Sequence, residues 1–312
     1  MSRPLRIRVP ATTANLGPGL DALGAALDLW NEVAWTPGAP GSGLIVRAGG
    51  EGAAELARPG VPNLVLGAWR WLFEREGRPL PDGELRLTNR IPFARGLGSS
   101  AAAVVGGLAL GRALLGQPID APEVFAWAAE IEGHADNVGA ALYGGVRAAF
   151  PAEGGALRSV HLRLRRRLHG AVVWPEARVS TAEARAALPP SVPLESAVAS
   201  LQRTAAVVAA LASGDEEALR AAMRDGLHEP ARTRLAPGLA EVLACAREEM
   251  RLAAALSGSG PAVLLLSFEP VPQAAVERLV RLWEGLGVRA HGRRVRVGGR
   301  GAHLAAPRAR RG

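Results

Sequence analysis

The chain contains no lysine. All 37 of its basic residues are arginine, against 29 acidic ones, for a formal charge of +8. Without lysine there can be no Walker A loop, which ends in Gly-Lys-Ser/Thr. The arginines occur along the whole chain, with short runs at Arg163 and Arg165–Arg167, at Arg293, Arg294 and Arg296, and at Arg308–Arg311. A polyanion site needs clustered charge rather than a high average, so this excess does not by itself point to nucleic acid. The runs read as solvated faces and a frayed terminus. Cysteine is almost absent. Cys245 stands alone, which excludes an intrachain disulfide, and its setting in AEVLACAREEM reads as a small buried hydrophobe on a helix. Apolar runs such as AAAVVGGLALG are too short to span a bilayer. The N-terminus carries no charged leader followed by an apolar core. A soluble protein of the reducing cytoplasm is expected, with no membrane and no nucleic-acid partner.

What is present supports a globular fold. The chain has 312 residues, 48% of them apolar, enough for one large domain or two ordinary ones. Alternation predicts strands at 5–9 and 85–91, with further strands at 43–48, 145–150, 170–175, 261–268 and 295–299. Helical periodicity predicts 63–76, 99–115, 195–212, 215–227, 238–254 and 272–286. Capping boxes are expected at Asp120 with Glu123, opening a helix through Ile131, and at Ser213 with Glu216. Strands and helices mix without strict βα alternation. This predicts an α+β fold in two lobes, divided near 150–160, where PAEGGALR breaks the pattern.

Residues 92–103 read PFARGLGSSAAA. So little side chain between a strand and a helix has two readings. The turn lets the helix pack close to the sheet, or it exposes main-chain amides to a ligand. The first amides of a helix have no internal partner, and the dipole is positive there. Gly96 and Gly98 would let a phosphate approach, and the Ser99 and Ser100 hydroxyls would cap the helix or touch a metal. Two more small-residue stretches flank strands: PATTANLGPGLD at 10–21 and LSGSGPA at 256–262. Together they suggest one shared site.

These segments resemble the GHMP kinase superfamily of galactokinases, homoserine kinases, mevalonate kinases and phosphomevalonate kinases. IPFARGLGSSAA resembles its ATP-binding signature, PATTANLGPGLD its first motif and LSGSGPAVLLL its third. EGHADNVGAALYGG (132–145), VSTAEARAALP (179–189) and HEPARTRLAPGL (228–239) resemble the homoserine kinase branch. The segments run from 10 to 266. One departure is Leu20, where that branch usually has Phe. The resemblance implies a ribosomal protein S5 domain 2-like lobe over 1–155 and a ferredoxin-like lobe over 156–312, with the site between them. It also implies transfer of the γ-phosphoryl of ATP to the hydroxyl of L-homoserine, a step of threonine biosynthesis, and a possible homodimer. The nearest alternative is a sister kinase acting on a mevalonate-type alcohol.

The resemblance assigns roles residue by residue. Gly96, Leu97, Gly98, Ser99, Ser100 and Ala101 would form the amide cradle for ATP. Pro92, Phe93, Ala94, Arg95 and Ala102 belong to the same signature, and Asn63 would reach the adenine or simply cap its helix. Ser100 and one glutamate would hold Mg2+, which takes few protein oxygens. Of Glu130 and Glu132, Glu130 is preferred by helix position. Arg185 and Arg232 would pair with the substrate carboxylate. Asp21 would take the ammonium or hydroxyl, with Asn15 and Thr181 as neutral partners. Asp136 would orient or deprotonate the hydroxyl. Some relatives pair a lysine with this aspartate, and this chain cannot. Electrostatic positioning is therefore expected to carry more of the rate than base catalysis. His134 would contact phosphates or hold the HADN loop.

Overall fold

The structure is a computed structural model and describes residues 4–58 and 60–306. The Arg308–Arg311 run lies outside the described residues. Strands β1 (Leu5–Ala14), β2 (Leu23–Pro37), β3 (Leu44–Gly50), β4 (Gly83–Asn89), β5 (Val146–Pro151) and β6 (Leu157–Leu162) build the first sheet. The second contains β7 (His169–Pro175), β8 (Ala253–Leu256), β9 (Val263–Ser267) and β10 (Ala290–Arg296), and β11 (His303–Leu304) returns to the first. Among these run the helices α1 (Ala53–Leu56), α2 (Leu64–Arg75), α3 (Ser99–Leu114), α4 (Pro122–Glu132), α5 (Asp136–Tyr143) and α6 (Thr181–Ala186). They continue with α7 (Leu194–Ser213), α8 (Glu216–Ala222), α9 (Glu229–Arg232), α10 (Leu239–Ala244) and α11 (Gln273–Gly285).

The first sheet runs β11-β1-β2-β4-β3, with β5 pairing β2 and β6 pairing β5. Only β3 with β4 is parallel. Helix α3 is apolar nearly all round, and such a helix must be enclosed. It packs against β1, β2, α2, α4 and α5. Gly107 permits the approach of α2, since a Cβ there would meet Val65 O at 2.6 Å. The second sheet runs β10-β7-β9-β8, antiparallel throughout. In chain order that is 4-1-3-2, with helices between its first and second strands and between its third and fourth. This is the split βαβ arrangement called ferredoxin-like.

Period-two alternation decides which core each strand of the second sheet serves. Val172, Leu264, Leu266, Ala253 and Ala255 join the large core under the first sheet. Their neighbours Ala171, Val173, Val263, Leu265 and Ala254 face a smaller core with Leu279 and Trp283 of α11. Each fully buried leucine here contributes about 2 kcal/mol of apolar transfer. The lobes are thus fused through one face of the second sheet.

Several sequence expectations need correction. β6 belongs to the first sheet and β11 returns to it, so sheet membership changes after Leu162 and again at His303, not at 155. Strand β2 was not expected, because its first half is buried on both faces and shows no alternation. Helix α4 starts after Ala121 with Pro122 in its first turn, and Asp120 makes no cap. Asp215, not Ser213, caps α8, accepting from Ala218 N at 3.0 Å. Ser213 instead donates to Ala209 O at 2.8 Å. The expected 238–254 helix is broken: α10 ends at Ala244, a π-turn covers Cys245–Glu249, and β8 follows. Cys245 is buried, as its helical setting suggested. Helix α7 has the length and composition to cross a membrane, which the short-run reading missed.

Candidate active site

The three small-residue stretches meet. Thr12 N donates to Leu97 O at 3.1 Å, Ser257 Oγ to Gly96 O at 2.7 Å, and Gly258 N to Ala14 O at 3.2 Å. Ser257 Oγ also reaches Thr13 Oγ1 at 2.9 Å. The two readings of the glycine turn prove to be one. Gly96 and Gly98 have φ of +70° and +66°, and an added Cβ would stand 1.9 Å from Ser257 O or 1.8 Å from Thr12 Oγ1. Close packing against β1 and the 256–262 segment is what bends the turn. That bend leaves the amides of Ser99, Ser100 and Ala101 at the N-terminus of the 16-residue α3, with no acceptor among the described residues. Such amides and the helix dipole favour an anion.

A cleft of about 430 Å³ opens in front of this turn, within the usual range for a small-molecule site. Pro92, Phe93, Ala94, Gly96, Leu97, Gly98, Ser99 and Ser100 line one part of it, with Asn63. Asn63 caps α2 through Leu66 N at 3.1 Å and borders the cleft as well. Two residues of the signature have partners elsewhere. Ala102 N is spent on Gly98 O at 2.9 Å, and its side chain is wholly buried. Arg95 donates Nε to Pro175 O at 3.0 Å, Nη1 to Phe93 O at 2.8 Å and Nη2 to Glu176 O at 2.7 Å. It borders the cleft but acts as a clamp between the turn and the end of β7.

The glutamate beside Ser100 is Glu132, not Glu130. Ser100 Oγ donates to Glu132 Oε2 at 2.9 Å. Residues two apart on a helix point to opposite sides, and the face that meets α3 carries Glu132, while Glu130 is exposed. Burial pushes the Glu132 carboxyl up, against the Ser100 hydrogen bond and the nearby His134. His134 Nε2 lies 3.6 Å from Glu132 and Nδ1 3.2 Å from Asp136 Oδ1. Nδ1 makes no hydrogen bond of good geometry there, so the second contact is one of charge, present when the imidazole is protonated. Burial lowers the His134 pKa, but the two carboxylates outweigh it and hold the imidazole above its usual range. Asp136 begins α5, is 3% exposed, and accepts from Asn137 N at 2.7 Å.

The opposite part of the cleft carries charge. Arg185 of α6 forms a two-pronged pair with Asp21, both bonds 3.0 Å. Each side chain is nearly half exposed, so the pair is worth at most about 1 kcal/mol. Arg232 differs. It is 4% exposed, donates only to Ala184 O and Gly258 O, and pairs with no carboxylate among the described residues. Burial lowers its pKa, with Asp21 acting against that at longer range. Asn15 donates Nδ2 to Gly258 O at 2.8 Å and accepts from Asp21 N at 3.2 Å. Thr181 opens α6 behind a Ser180–Glu183 capping box and lines the cleft.

Some residues of the site were not singled out from sequence. Asn137 accepts from Thr12 Oγ1 at 2.7 Å and lines the cleft; its place in HADN was the available signal. His228 is wholly buried, with Nε2 2.9 Å from Gly17 O, and so steadies the loop that carries Asn15 and Asp21. Arg178 pairs with Glu55 at 2.6 Å, both bordering the cleft; no local pattern marks that contact.

The model of the GHMP kinases N-terminal domain matches residues 63–145, and that of the GHMP kinases C-terminal domain matches 207–284. Homoserine kinase of Moorella thermoacetica is 43% identical over 83% of this chain and 86% of its own. That of Carboxydothermus hydrogenoformans is 40% identical over 84% and 85%. The crystal structure of homoserine kinase from Cytophaga hutchinsonii superposes with a TM-score of 0.84 at 28% identity, covering 98% of each chain. The chain belongs to the GHMP kinases and, within them, to the homoserine kinase family.

Proposed function

We propose that this kinase transfers the γ-phosphoryl group of ATP to the side-chain hydroxyl of L-homoserine, yielding ADP and O-phospho-L-homoserine. The observation that carries the substrate assignment is the buried, unpaired Arg232 beside the half-exposed Asp21–Arg185 pair. A desolvated guanidinium without a counter-ion is costly, and a carboxylate ligand relieves that cost. A substrate that is both anion and cation satisfies all three groups. Its carboxylate takes Arg232 and Arg185, and its ammonium takes Asp21. The exposed pair is weak enough to be exchanged in this way.

Phosphoryl transfer is chiefly a matter of placement and charge neutralisation. The amides at the start of α3 would hold the phosphate chain, and the dipole there opposes the charge that develops. Ser100 and Glu132 offer hard oxygens in contact, a donor set that suits Mg2+. When bound, magnesium would supply positive charge that offsets the charge of the phosphates. Asp136, held rigid by Asn137 N and His134, would orient the acceptor hydroxyl. A carboxylate is a weak base for an alcohol, so the proton is expected to leave late. Asp136→Asn should then slow turnover without abolishing it. Complete loss, with ATP and homoserine binding intact, would instead require obligatory base catalysis.

A mevalonate-type alcohol brings no ammonium for Asp21. Coupled ADP-release assays with L-homoserine and with mevalonate separate the two. Turnover with homoserine and none with mevalonate is expected, and the reverse would overturn the substrate assignment.

A further inference from the structure

An acid stands on the same helical turn as Arg232. Glu229 opens α9 and Arg232 closes it. Residues three apart on a helix are neighbours, and a glutamate so placed ordinarily pairs with its arginine. Here it does not. One nitrogen of Arg247, Nη2, donates to both oxygens of Glu229, at 2.7 and 2.9 Å, and Leu256 N donates to Oε1 at 3.1 Å. The Glu229 and Arg247 side chains are 5% and 13% exposed. Asp225 is engaged as well: one of its oxygens takes the amides of Leu227, His228 and Glu229. Arg232 lines the cleft and donates only to the carbonyls of Ala184 and Gly258.

Arg247 comes from another part of the chain. It lies midway along the π-turn Cys245–Glu249, and such turns recur at functional sites. Its remaining bonds fix it to the backbone, Nε on Ala254 O at 2.8 Å and Nη2 on Met223 O at 3.1 Å. Neither Arg247 nor Glu229 borders the cleft. A buried ion pair adds little net stability over apolar residues of the same volume, so stability alone gives this one no reason. We propose that Arg247 is a positioning residue for the acceptor site. By holding the Glu229 carboxylate, it keeps that acid from neutralising Arg232 and leaves the Arg232 guanidinium free for the carboxylate of the substrate. The inference rests on the role given to Arg232 above. A Glu229 carboxylate released from Arg247 would be buried without a counter-ion, and the cation on its own helix is Arg232. Such an internal partner competes with the substrate at a high effective concentration.

Initial rates over L-homoserine and over ATP test this in wild type, Arg232→Met, Arg247→Gln, and Arg247→Gln combined with Glu229→Gln. The glutamine in place of Arg247 keeps a hydrogen-bond donor and removes the charge. Arg247→Gln should raise the KM for homoserine about 10–100-fold, as Arg232→Met does, with the KM for ATP unaltered. Adding Glu229→Gln removes the competing charge and keeps an acceptor for Leu256 N. The KM for homoserine should then fall back toward wild type by about tenfold or more. A pair needed only for folding would behave in the opposite way, the second change deepening the loss. A combined variant no better than Arg247→Gln would overturn the proposal. So would a normal KM in Arg247→Gln beside a raised one in Arg232→Met. A normal KM in Arg232→Met would overturn the role of Arg232 itself, and this proposal with it. Should Arg247→Gln not fold, the combined variant, which leaves no charge unpaired, decides alone. A homoserine KM near that of wild type supports the proposal, and one near that of Arg232→Met overturns it.

Discussion

The two ends of the cleft are built from different materials. The phosphate end is main chain: a turn bent by backbone contacts, with free amides left at a helix start. The substrate end is side chain: Asp21, Arg185 and Arg232 on three separate elements. The first is rigid before any ligand arrives, because Gly96 and Gly98 are wedged against Ser257 and Thr12. The second is part-exchangeable, because Asp21 and Arg185 satisfy each other while Arg232 waits unpaired. Binding at the first end reads shape and charge. Binding at the second reads the chemical identity of the acceptor.

If that contrast holds, damage should differ in kind. The largest effect is expected from Gly98→Ala. Its left-handed backbone costs about 1–3 kcal/mol for a side chain, and the Cβ would strike Thr12 Oγ1 at 1.8 Å. A lowered melting temperature together with loss of ATP binding by calorimetry is expected. Retained nucleotide affinity would break the picture of a wedged cradle.

Next is the acid beside Ser100. Glu132→Gln should lower kcat by about 10²–10³, in line with removal of a transition-state charge partner, while Glu130→Gln stays near wild type. Initial rates over a magnesium titration decide it. Equal effects of the two changes would mean that the Ser100–Glu132 contact does not matter.

Arg232→Met should raise the KM for homoserine about 10–100-fold, the scale of a lost charged hydrogen bond, and leave the KM for ATP unaltered. A matching rise in both would erase the division of labour between the two ends.

The smallest expected effect is on stability. Burial lowers the His228 pKa, with Asp225 acting against it. A histidine with a depressed folded pKa leaves the unfolded chain to bind the extra proton. Stability is therefore full above about pH 6.5, the unperturbed value, and falls as pH drops toward the folded pKa. His228→Gln keeps a donor for Gly17 O and cannot titrate. Urea titrations at pH 7.5 and 5.5 should show a smaller acid loss in the variant than in wild type, by up to about 1.4 kcal/mol per pH unit.

The same contrast explains what could be read from the sequence. The main-chain end was legible because close backbone approach leaves a visible trace, glycines and serines in PFARGLGSSAAA. Helices with clear periodicity, such as α2, α7 and α11, were legible for the related reason that packing writes itself into spacing. Glu132 was not separable from Glu130, because both fit the helix and only the side that meets α3 decides. Arg95 matched a motif yet serves as a clamp, since two of its three partners lie at and just past the end of β7, some 80 residues away in sequence. β2 was hidden because double-sided burial removes alternation. The exposed apolar side of α7, with Leu194 and Leu201, read as an ordinary helix, since periodicity shows that one face is apolar but not whether anything covers it.

The central claim is that this cleft joins a phosphate held by main-chain amides to a small amino acid held by charged side chains. Phosphorus NMR of the products formed by the pure protein with magnesium-ATP and L-homoserine tests it most directly. The account predicts O-phospho-L-homoserine in equal amount to ADP. Release of ADP with inorganic phosphate alone, or no turnover with homoserine, would contradict it.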